Sequence, residues 1–515
     1  MYKEIQLGIE EYKDKVYGCW LGKNIGGTLG EDFECKKHVN NLTFYWTIPE
    51  KSSPNDDLDL QLVWLKMLED KNAEEPALSD FADYWLKYLC SWPPDEYGLC
   101  LRNLERGLRP PVSGCFENGY IDNMGSPIRS EIWACIAPGD PQLAASLAVK
   151  DALLDHAGGE GVYGEMFWAA VESAAFVISD VETLIQIGLS MIPISSQISR
   201  VIRQVLWLYD NGVSWADARH QIATLFSNPA PPIRNNTGPA MANFGGYAHP
   251  CLAAPNHGFT VIGWLYGKDF GDSLCKAVNC GYDTDCTGAT LGALLGIIHG
   301  AKNIPEKWKN PIGKEIILHP FTGKCDAPKT LIELTERTGK IAEKFIQERS
   351  DIVSFGTKTI IPKDILSSLF RNEKARKALT SYDVHSAIEM DEDMEITLHY
   401  NGEPVLRLGI RKEIDISLKK DGLDVTNQAK IELKAPKDWK VRKKKDGLKF
   451  ELYSEKVKPR NQLKVKAKLD SKDYSAEFTI LGPQEAKGWP VERNVERCPK
   501  CRARKGACQC QERRA

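Results

Sequence analysis

The sequence predicts an all-helical region followed by a small all-β region, and three observations support this division. Up to about Glu348 the apolar residues recur mostly at spacings of three and four, which is the period of a helix. Residues 351–385 are more polar and carry glycine and proline breaks, as at a domain boundary. Beyond them the apolar period shortens towards two, as in β-strands. We therefore expect a helical domain at 1–348, a linker at 349–385, a β-sandwich-like domain at 386–485 and a separate tail at 486–515.

Four segments of the first region show the helical spacing clearly, with glycine and proline clusters between them. They are residues 57–68, 143–154, 165–178 and 274–278. The apolar stretch 286–301 is shorter than the roughly 20 residues of a membrane span and directly follows two acids. We therefore expect a buried helix there, in a protein without a membrane partner.

In the second region, Asn401-Gly402 separates two apolar runs at 394–400 and 405–408. Because Asn-Gly accepts the positive φ of a tight turn, this pattern predicts a β-hairpin. Further alternating runs with turn signals between them predict the other strands of a small sandwich. These runs are 413–418, 430–433, 448–453, 463–467 and 476–481.

The composition excludes several classes of protein. The chain has 515 residues, of which 42% are hydrophobic and 27% charged, as in an ordinary globular protein. A net charge of −3 provides no field that would attract nucleic acid, so we expect no nucleic-acid partner. No secretory signal is visible, and the eleven cysteines before Lys340 show no paired spacing. These features predict a cytoplasmic protein with reduced thiols.

Two acidic clusters each stand directly before an apolar helix. The first contains Asn55, Asp56 and Asp57, and the second contains Asp283 and Asp285. A helix cap explains part of the first cluster, since oxygen side chains and acids stabilise helix N-termini. Neighbouring carboxylates also repel one another unless a cation compensates, and oxygen-rich clusters bind Mg²⁺. Capping alone and a metal site shared by both clusters are therefore both open.

A row of glycines follows the second cluster at every fourth position. It consists of Gly288, Gly292, Gly296 and Gly300. Each glycine weakens a helix by roughly 1 kcal/mol relative to alanine, so close packing must compensate. We expect another backbone to approach the helix along this row.

The order of the motifs resembles the ADP-ribosylglycohydrolase family. The matching segments are Gly22-Lys-Asn-Ile-Gly26-Gly27, Asn55-Asp-Asp57, Asn123-Met-Gly-Ser-Pro-Ile-Arg129, Asp155-His156, Gly281-Tyr-Asp-Thr-Asp285 and Ile304-Pro-Glu-Lys-Trp308. The resemblance covers about residues 12–311 and implies an all-helical bundle with a centre of two Mg²⁺ ions, or Mn²⁺. It also implies hydrolysis of a ribosyl C1 bond in an ADP-ribosylated protein or ADP-ribose derivative. An N-ribosidase for a free nucleoside or nucleotide and a non-catalytic ADP-ribose-binding protein are the alternatives.

The resemblance assigns metal binding to Asn55, Asp56, Asp57, Asp283 and Asp285, with Asp57 also catalytic. Two hydroxyl ligands of the family are replaced here, by Asn55 and by Cys286. An amide oxygen still suits Mg²⁺, whereas a thiol is a soft ligand and suits it poorly. Asp59, one turn into the helix, is either a compensating ligand or a solvated or ion-paired acid.

The resemblance further assigns Asn123, Gly125, Ser126 and His156 to substrate binding, and Glu31 and Glu117 to proton transfer. The loop at Gly125 and Ser126 would hold a phosphate with its backbone N–H groups, and an ordinary glycine turn is the alternative. For His156 the alternative is a core imidazole. His249 and His257 lie close to proline and glycine, where turn and capping roles are common.

Four cysteines cluster in a basic segment at the end of the sequence. They are Cys498, Cys501, Cys508 and Cys510. Cys-x₂-Cys is half of a usual structural zinc site, so four thiols in this short segment could hold Zn²⁺. A flexible, reduced tail is the alternative.

Overall fold

Helices build the chain up to residue 349, as the sequence predicts. The computed structural model of the protein describes residues 4–89, 95–227, 249–322, 325–444 and 448–486. The helices are α1 (Ile9–Glu31), α2 (Asp56–Asp70), α3 (Leu78–Tyr88), α4 (Asp95–Glu105), α5 (Val112–Cys115), α6 (Ser130–Ile136), α7 (Pro141–Ala152), α8 (Glu160–Ala175), α9 (Val181–Met191), α10 (Gln197–Asp210), α11 (Trp215–Phe226), α12 (Ala253–Tyr266), α13 (Phe270–Asn279), α14 (Thr284–His299), α15 (Glu306–Lys309), α16 (Leu331–Arg349), α17 (Leu366–Leu369) and α18 (Glu373–Thr380).

Helices α1 and α14 lie against each other along two rows of glycines. A Cβ placed on Gly22 would lie 2.0 Å from the carbonyl oxygen of Gly292, and one on Gly26 would lie 1.8 Å from that of Gly288. The predicted close approach is therefore confirmed, and its partner is the glycine row of α1. Gly300 has a different role, because it ends α14 with a φ of 72°. The packing brings the C-terminal end of α1 beside the start of α14.

A short parallel sheet connects the two ends of the helical region. Strand β1 (Ile5–Gly8) pairs with β2 (Val353–Gly356), and Ser350 Oγ donates a hydrogen bond of 2.8 Å to Asp140 Oδ2. Residues 353–356 lie in the segment that the sequence predicts as a linker, and they are part of the helical body.

Two antiparallel sheets form the C-terminal region, as predicted. One has the order β11-β10-β7, and the other has the order β3-β4-β5-β9-β8 with β6 paired to β5. Alternate residues of β10 are buried, which is the pattern of a sheet that covers a core on one face. The strands are β3 (Ser386–Asp391), β4 (Met394–His399), β5 (Lys412–Lys420), β6 (Leu423–Asp424), β7 (Lys430–Lys434), β8 (Lys440–Lys443), β9 (Lys449–Tyr453), β10 (Arg460–Leu469) and β11 (Lys472–Leu481).

The predicted hairpin around Asn401-Gly402 is wrong. Both residues have positive φ, 51° and 111°, so the turn conformation is present. However, Val405 forms a bridge to Leu481, and β4 pairs with β3 and β5 instead. The reason is that β3 lies just before β4 and takes up the edge that residues 405–408 would have occupied.

The β region packs on the segment just before α5. The N–H of Ile388 donates to the Pro110 carbonyl at 3.0 Å, and Arg109 Nε lies 2.8 Å from Glu389 Oε1. Nearby, Arg106 Nε lies 3.3 Å from Glu485 Oε2. The described helices include none that is long and apolar enough to cross a membrane.

Candidate metal and substrate site

Asn55 caps α2 and leaves the acids after it available for other contacts. Its backbone is extended, with φ −147° and ψ 129°, and Oδ1 accepts the N–H of Asp57 at 2.6 Å. The cap therefore uses the amide and no carboxylate. Its role as a metal ligand stays a prediction, since the same oxygen already accepts one hydrogen bond.

Asp57 faces the start of α14. Ligand atoms of Asp57, Asp285 and Cys286 lie within 4.8 Å of one another, and all three residues are buried. Both carboxylate oxygens of Asp57 and Oδ1 of Asp285 are buried without a hydrogen-bond partner among the described residues. Because buried carboxylates without donors are costly, this geometry fits a bound cation.

A second group shares Asp285 with the first. Ligand atoms of Glu34, Asp283 and Asp285 also lie within 4.8 Å of one another. Asp283 precedes α14 but makes no side-chain capping hydrogen bond, so capping does not account for its carboxylate. The two groups unite the two acidic clusters of the sequence at one place.

Burial raises the pKa values of these acids. It raises the pKa of Asp57 to about 7, although Lys23 opposes the shift and Asp56 adds to it. The pKa values of Asp283 and Asp285 are raised well above their usual range by burial and by neighbouring acids, which for Asp285 include Asp56. The partly buried Asp56 therefore lies within electrostatic reach of both groups.

A buried network of an ion pair and hydrogen bonds lies beside Asp57. Lys23 Nζ lies 3.6 Å from Asp57 Oδ1 and 2.7 Å from Glu131 Oε1. Gln61 Nε2 donates to Glu131 Oε2 at 2.8 Å and to the Asp57 carbonyl at 2.8 Å. Lys23, in the glycine-rich part of α1, thus compensates two carboxylates in the protein interior.

Asp59 lies outside the two ligand groups, although its Oδ1 is also buried without a hydrogen-bond partner among the described residues. Its Oδ2 accepts the backbone N–H of His319 and, at 2.8 Å, the hydroxyl of Thr322. It is neither solvated nor paired with a cation through these contacts, contrary to one of the two expectations from sequence. Asp59 anchors the segment around residue 320 to α2.

The loop that contains Asn123, Gly125 and Ser126 lies beside the first residues of α4. Gly125 N–H donates to Glu96 Oε1 at 3.0 Å, and Asn123 Nδ2 donates to Glu96 Oε2 at 3.3 Å. A Cβ on Gly125 would lie 2.1 Å from Glu96 Oε1, so glycine is needed for this approach. Ser126 Oγ is buried without a hydrogen-bond partner among the described residues.

His156 belongs to a buried charge network around the same loop. Its Nδ1 lies 2.9 Å from Asp155 Oδ1 and its Nε2 lies 3.5 Å from Glu96 Oε1. Burial alone would lower the pKa of His156, but Asp155 and Glu96 raise it to about 9. Arg129 donates two hydrogen bonds of 2.9 Å to Asp155. His156 is therefore an imidazolium held between two acids.

The two acids predicted to move protons lie outside both ligand groups. Glu31 is the exposed last residue of α1, and Glu34, three residues further on, takes part in the second group. Glu117 Oε2 lies 3.4 Å from Arg102 Nη2 and 3.3 Å from Arg106 Nη1, on the side that contacts the β region. Their catalytic roles stay predictions.

The two remaining histidines differ in their positions. His249 Nε2 lies 3.4 Å from Asp95 Oδ2, beside Glu96, whereas His257 is fully buried in α12. Burial lowers the pKa of His257 to about 4, and its Nδ1 lies 2.7 Å from the Ala253 carbonyl oxygen. The four C-terminal cysteines, at residues 498–510, lie outside the described residues.

Sequence reasoning missed Glu34, Lys23, Glu131 and Glu96. For Glu34 a signal exists, since it is an acid close behind the glycines of α1. Lys23 stands inside the quoted glycine motif, but its burial depends on α1 lying against the rest of the bundle. Glu96 stands in a segment without any recognisable motif, and its role arises only from the contact with Gly125.

The fold and the site together define a helical protein with a buried acidic centre contributed by two helix starts. The chain belongs to the ADP-ribosylglycohydrolase family, because the sequence model of that family, described as ADP-ribosylglycohydrolase, matches residues 9–348. This confirms the family resemblance and the helical bundle. The family indicates a glycosyl hydrolase.

The comparisons with individual proteins are more distant. A solved structure described as "ADP-ribosylglycohydrolase-related protein complex" aligns with 65% of this chain and 99% of its own, at 18% identity and a TM-score of 0.41. None of the curated proteins matches the chain.

Proposed function

We propose that the protein is a metal-dependent hydrolase that cleaves a ribosyl C1 glycosidic bond. The observation that carries this proposal is the burial of three carboxylate oxygens of Asp57 and Asp285 without hydrogen-bond donors. Asp57 and Asp285 belong to the group whose ligand atoms lie within 4.8 Å of one another. Lys23 lies 3.6 Å from Asp57 Oδ1, and a divalent cation would compensate the remaining acids of the two ligand groups.

Asp57, Asp283, Asp285 and Glu34 would hold the ions, with Asp56 close by. These oxygen donors suit Mg²⁺ or Mn²⁺, and the sharing of Asp285 by two groups favours two ions. When bound, such ions orient the substrate oxygens and lower the pKa of water, which supplies a nucleophile at neutral pH. Cys286 lies close enough to add a soft ligand, which favours Mn²⁺ over Mg²⁺.

Glu34 is the side chain that we propose to accept the proton of the attacking water, in the place expected for Glu31. Its carboxylate lies within 4.8 Å of ligand atoms of Asp283 and Asp285, so it would be close to a water molecule held by the ions. Its residue is exposed, unlike Asp283 and Asp285, so substrate and water can reach it. Glu117 serves better as an ion-pair partner of Arg102 and Arg106.

The substrate class follows from the family and from the loop at Gly125. ADP-ribosylated proteins and ADP-ribose derivatives are the first candidates. A free nucleoside or nucleotide is the second, and the nucleoside is favoured by the fact that the Gly125 N–H already donates to Glu96. A non-catalytic ADP-ribose-binding protein would use the same pocket without turnover.

Metal binding and turnover measured together test the proposal. Purified protein is titrated with Mg²⁺ and Mn²⁺ by calorimetry and is then offered ADP-ribosylated peptides, ADP-ribose derivatives and nucleosides. We expect Asp285→Asn to abolish both metal binding and hydrolysis. Asp59→Asn is the matched control. Asp59 lies about one helical turn after Asp56 in α2, and its carboxylate contacts His319 and Thr322 instead of the ligand groups. Unchanged metal binding in Asp285→Asn, or metal binding without hydrolysis of any riboside, contradicts the proposal.

A further inference from the structure

The carboxylate of Glu96 accepts the hydrogen bond of the Gly125 N–H, in the loop that the family resemblance assigns to substrate binding. The Glu96 side chain is 4% exposed, and its two oxygens accept hydrogen bonds from Gly125 N–H at 3.0 Å and from Asn123 Nδ2 at 3.3 Å. The glycine is required at this place, since any Cβ would collide with Glu96. A free N–H group at this position would attract an anionic ligand group. Because Glu96 occupies it, the loop presents a carboxylate there instead.

The positive charge near the loop is also neutralised by acids. His156 lies between Asp155 and Glu96, at 2.9 Å and 3.5 Å from their carboxylate oxygens. Arg129 is fully buried and directs its guanidinium to Asp151 and Asp155. His156 and Arg129 are paired with protein carboxylates, so little of their positive charge remains to balance a phosphate group.

A second acid lies beside Glu96 at the start of α4. Asp95 precedes Glu96, and its Oδ2 lies 3.4 Å from His249 Nε2. Burial, together with the charges of Glu96, Glu34 and Asp56, raises the pKa of Asp95 to about 7. The start of α4 therefore lies within electrostatic reach of the acidic centre, on the same side of the bundle.

One polar group of the loop has no protein partner in the part of the chain that the structure describes. Ser126 Oγ is fully buried and has no hydrogen-bond partner among the described residues. A hydroxyl group both donates and accepts, and a carboxylate only accepts. Together, Ser126 and Glu96 match a ligand group that can donate a hydrogen bond, such as a hydroxyl or an amine.

We propose that Glu96 determines substrate specificity, and that the site takes a riboside with a neutral hydroxyl or amino group at this loop in preference to a phosphate ester. A phosphate carries only acceptor oxygens there and would meet a carboxylate of like charge, which disfavours binding. Among the candidate substrates of the proposed function, this places a nucleoside or another phosphate-free riboside ahead of ADP-ribose derivatives. This inference rests on the proposed ribosyl hydrolase function.

Ligand binding tests this specificity without requiring turnover. Full-length protein with saturating Mn²⁺ is titrated by calorimetry with adenosine, with AMP and with ADP-ribose, as the wild type, Glu96→Gln and Glu96→Ala. We expect the wild type to bind adenosine at least about tenfold more tightly than either phosphate ester, equivalent to about 1.4 kcal/mol. Both variants should reduce this ratio about tenfold or reverse it, because they remove the charge.

Glu105→Gln is the matched control, since it removes a glutamate from the other end of α4 and should keep the wild-type ratio. Tighter binding of AMP or ADP-ribose than of adenosine by the wild type overturns the proposal, as does an unchanged ratio in both Glu96 variants or no binding of adenosine. Preferential adenosine binding without hydrolysis would refute the hydrolase function and leave the specificity intact.

Discussion

Nζ of Lys23 lies 3.6 Å from Oδ1 of Asp57, and both side chains are about 1% exposed. Lys23→Met removes a cation that serves Asp57 and Glu131 together. Because an unpaired buried charge is costly, we expect the variant to lose about 3–5 kcal/mol of unfolding free energy in chelator. Added Mn²⁺ should restore more stability to the variant than to the wild type. Denaturant unfolding with and without Mn²⁺ measures both effects.

Lys13→Met is the control for this experiment, since Lys13 lies on the same helix and pairs with the exposed Glu336. Such surface pairs contribute about 0–1 kcal/mol. Equal losses in the two variants would show that Lys23 does not compensate the buried acids.

We expect Cys286 to influence the choice of metal. Its Sγ lies within 4.8 Å of ligand atoms of Asp57 and Asp285. Cys286→Thr replaces a soft ligand with a hard oxygen, so the affinity for Mg²⁺ relative to Mn²⁺ should rise by about tenfold, or about 1.4 kcal/mol. Competition calorimetry measures the ratio. Cys275→Thr changes a buried thiol outside the ligand groups and should have no effect, and a similar result for Cys286→Thr would place its side chain outside the metal's coordination.

His156 gives the fold a defined dependence on pH. Its pKa rises from 6.5 to about 9 in the folded protein, because Asp155 and Glu96 outweigh burial. The stabilisation is therefore complete below pH 6.5 and is lost as the pH rises to about 9. It amounts to roughly 3 kcal/mol by linkage. Unfolding free energies from pH 6 to pH 10 should show this loss in the wild type and lack it in His156→Gln, and parallel curves would contradict it.

The glycine contact between α1 and α14 positions the start of α14, which contributes to both candidate ligand groups. Gly22→Ala would place a Cβ about 2.0 Å from the Gly292 carbonyl oxygen, so the helices must separate. We expect a loss of about 1–3 kcal/mol or more in stability, with weaker Mn²⁺ binding. Gly339→Ala in α16 is the control, since its Cβ would meet no atom closer than 3.8 Å and should be neutral or stabilising. Equal stability of the two variants would contradict the close packing.

The C-terminal cysteines predict a second, structural metal. Zinc bound by Cys498, Cys501, Cys508 and Cys510 would order a segment too short to form its own core. Elemental analysis should find about one zinc per chain in the full-length protein and none in a chain that ends at Pro490, with the same hydrolytic activity. Equal zinc contents would refute the site.

The sequence predicts features that depend on local pattern. The cap at Asn55 and the glycine row of α14 follow from residue types at fixed spacings, and both are present. The acidic clusters can be recognised from the sequence in the same way. Carboxylates that are close together in the sequence need a compensating charge wherever they are buried.

Features made by long-range contacts could not be predicted. The carboxylate of Glu96 approaches Gly125 only because α4 lies across a loop 29 positions further along the chain. Likewise, Val405 is bridged to Leu481 and not to β4, which no local turn signal indicates. Periodicity identifies elements, but the partner of each element depends on which surfaces the complete fold brings together.

Strands β1 and β2 are made at very different times during synthesis. β1 precedes every helix of the family region, whereas β2 follows α16, and the two pair in parallel from Ile5↔Val353 to Gly8↔Gly356. A growing chain therefore carries β1 with an open edge until residue 356 has left the ribosome, and open edges invite pairing with other chains. This sheet is completed only after α16 has been made, so premature termination just after α16 yields a chain prone to association.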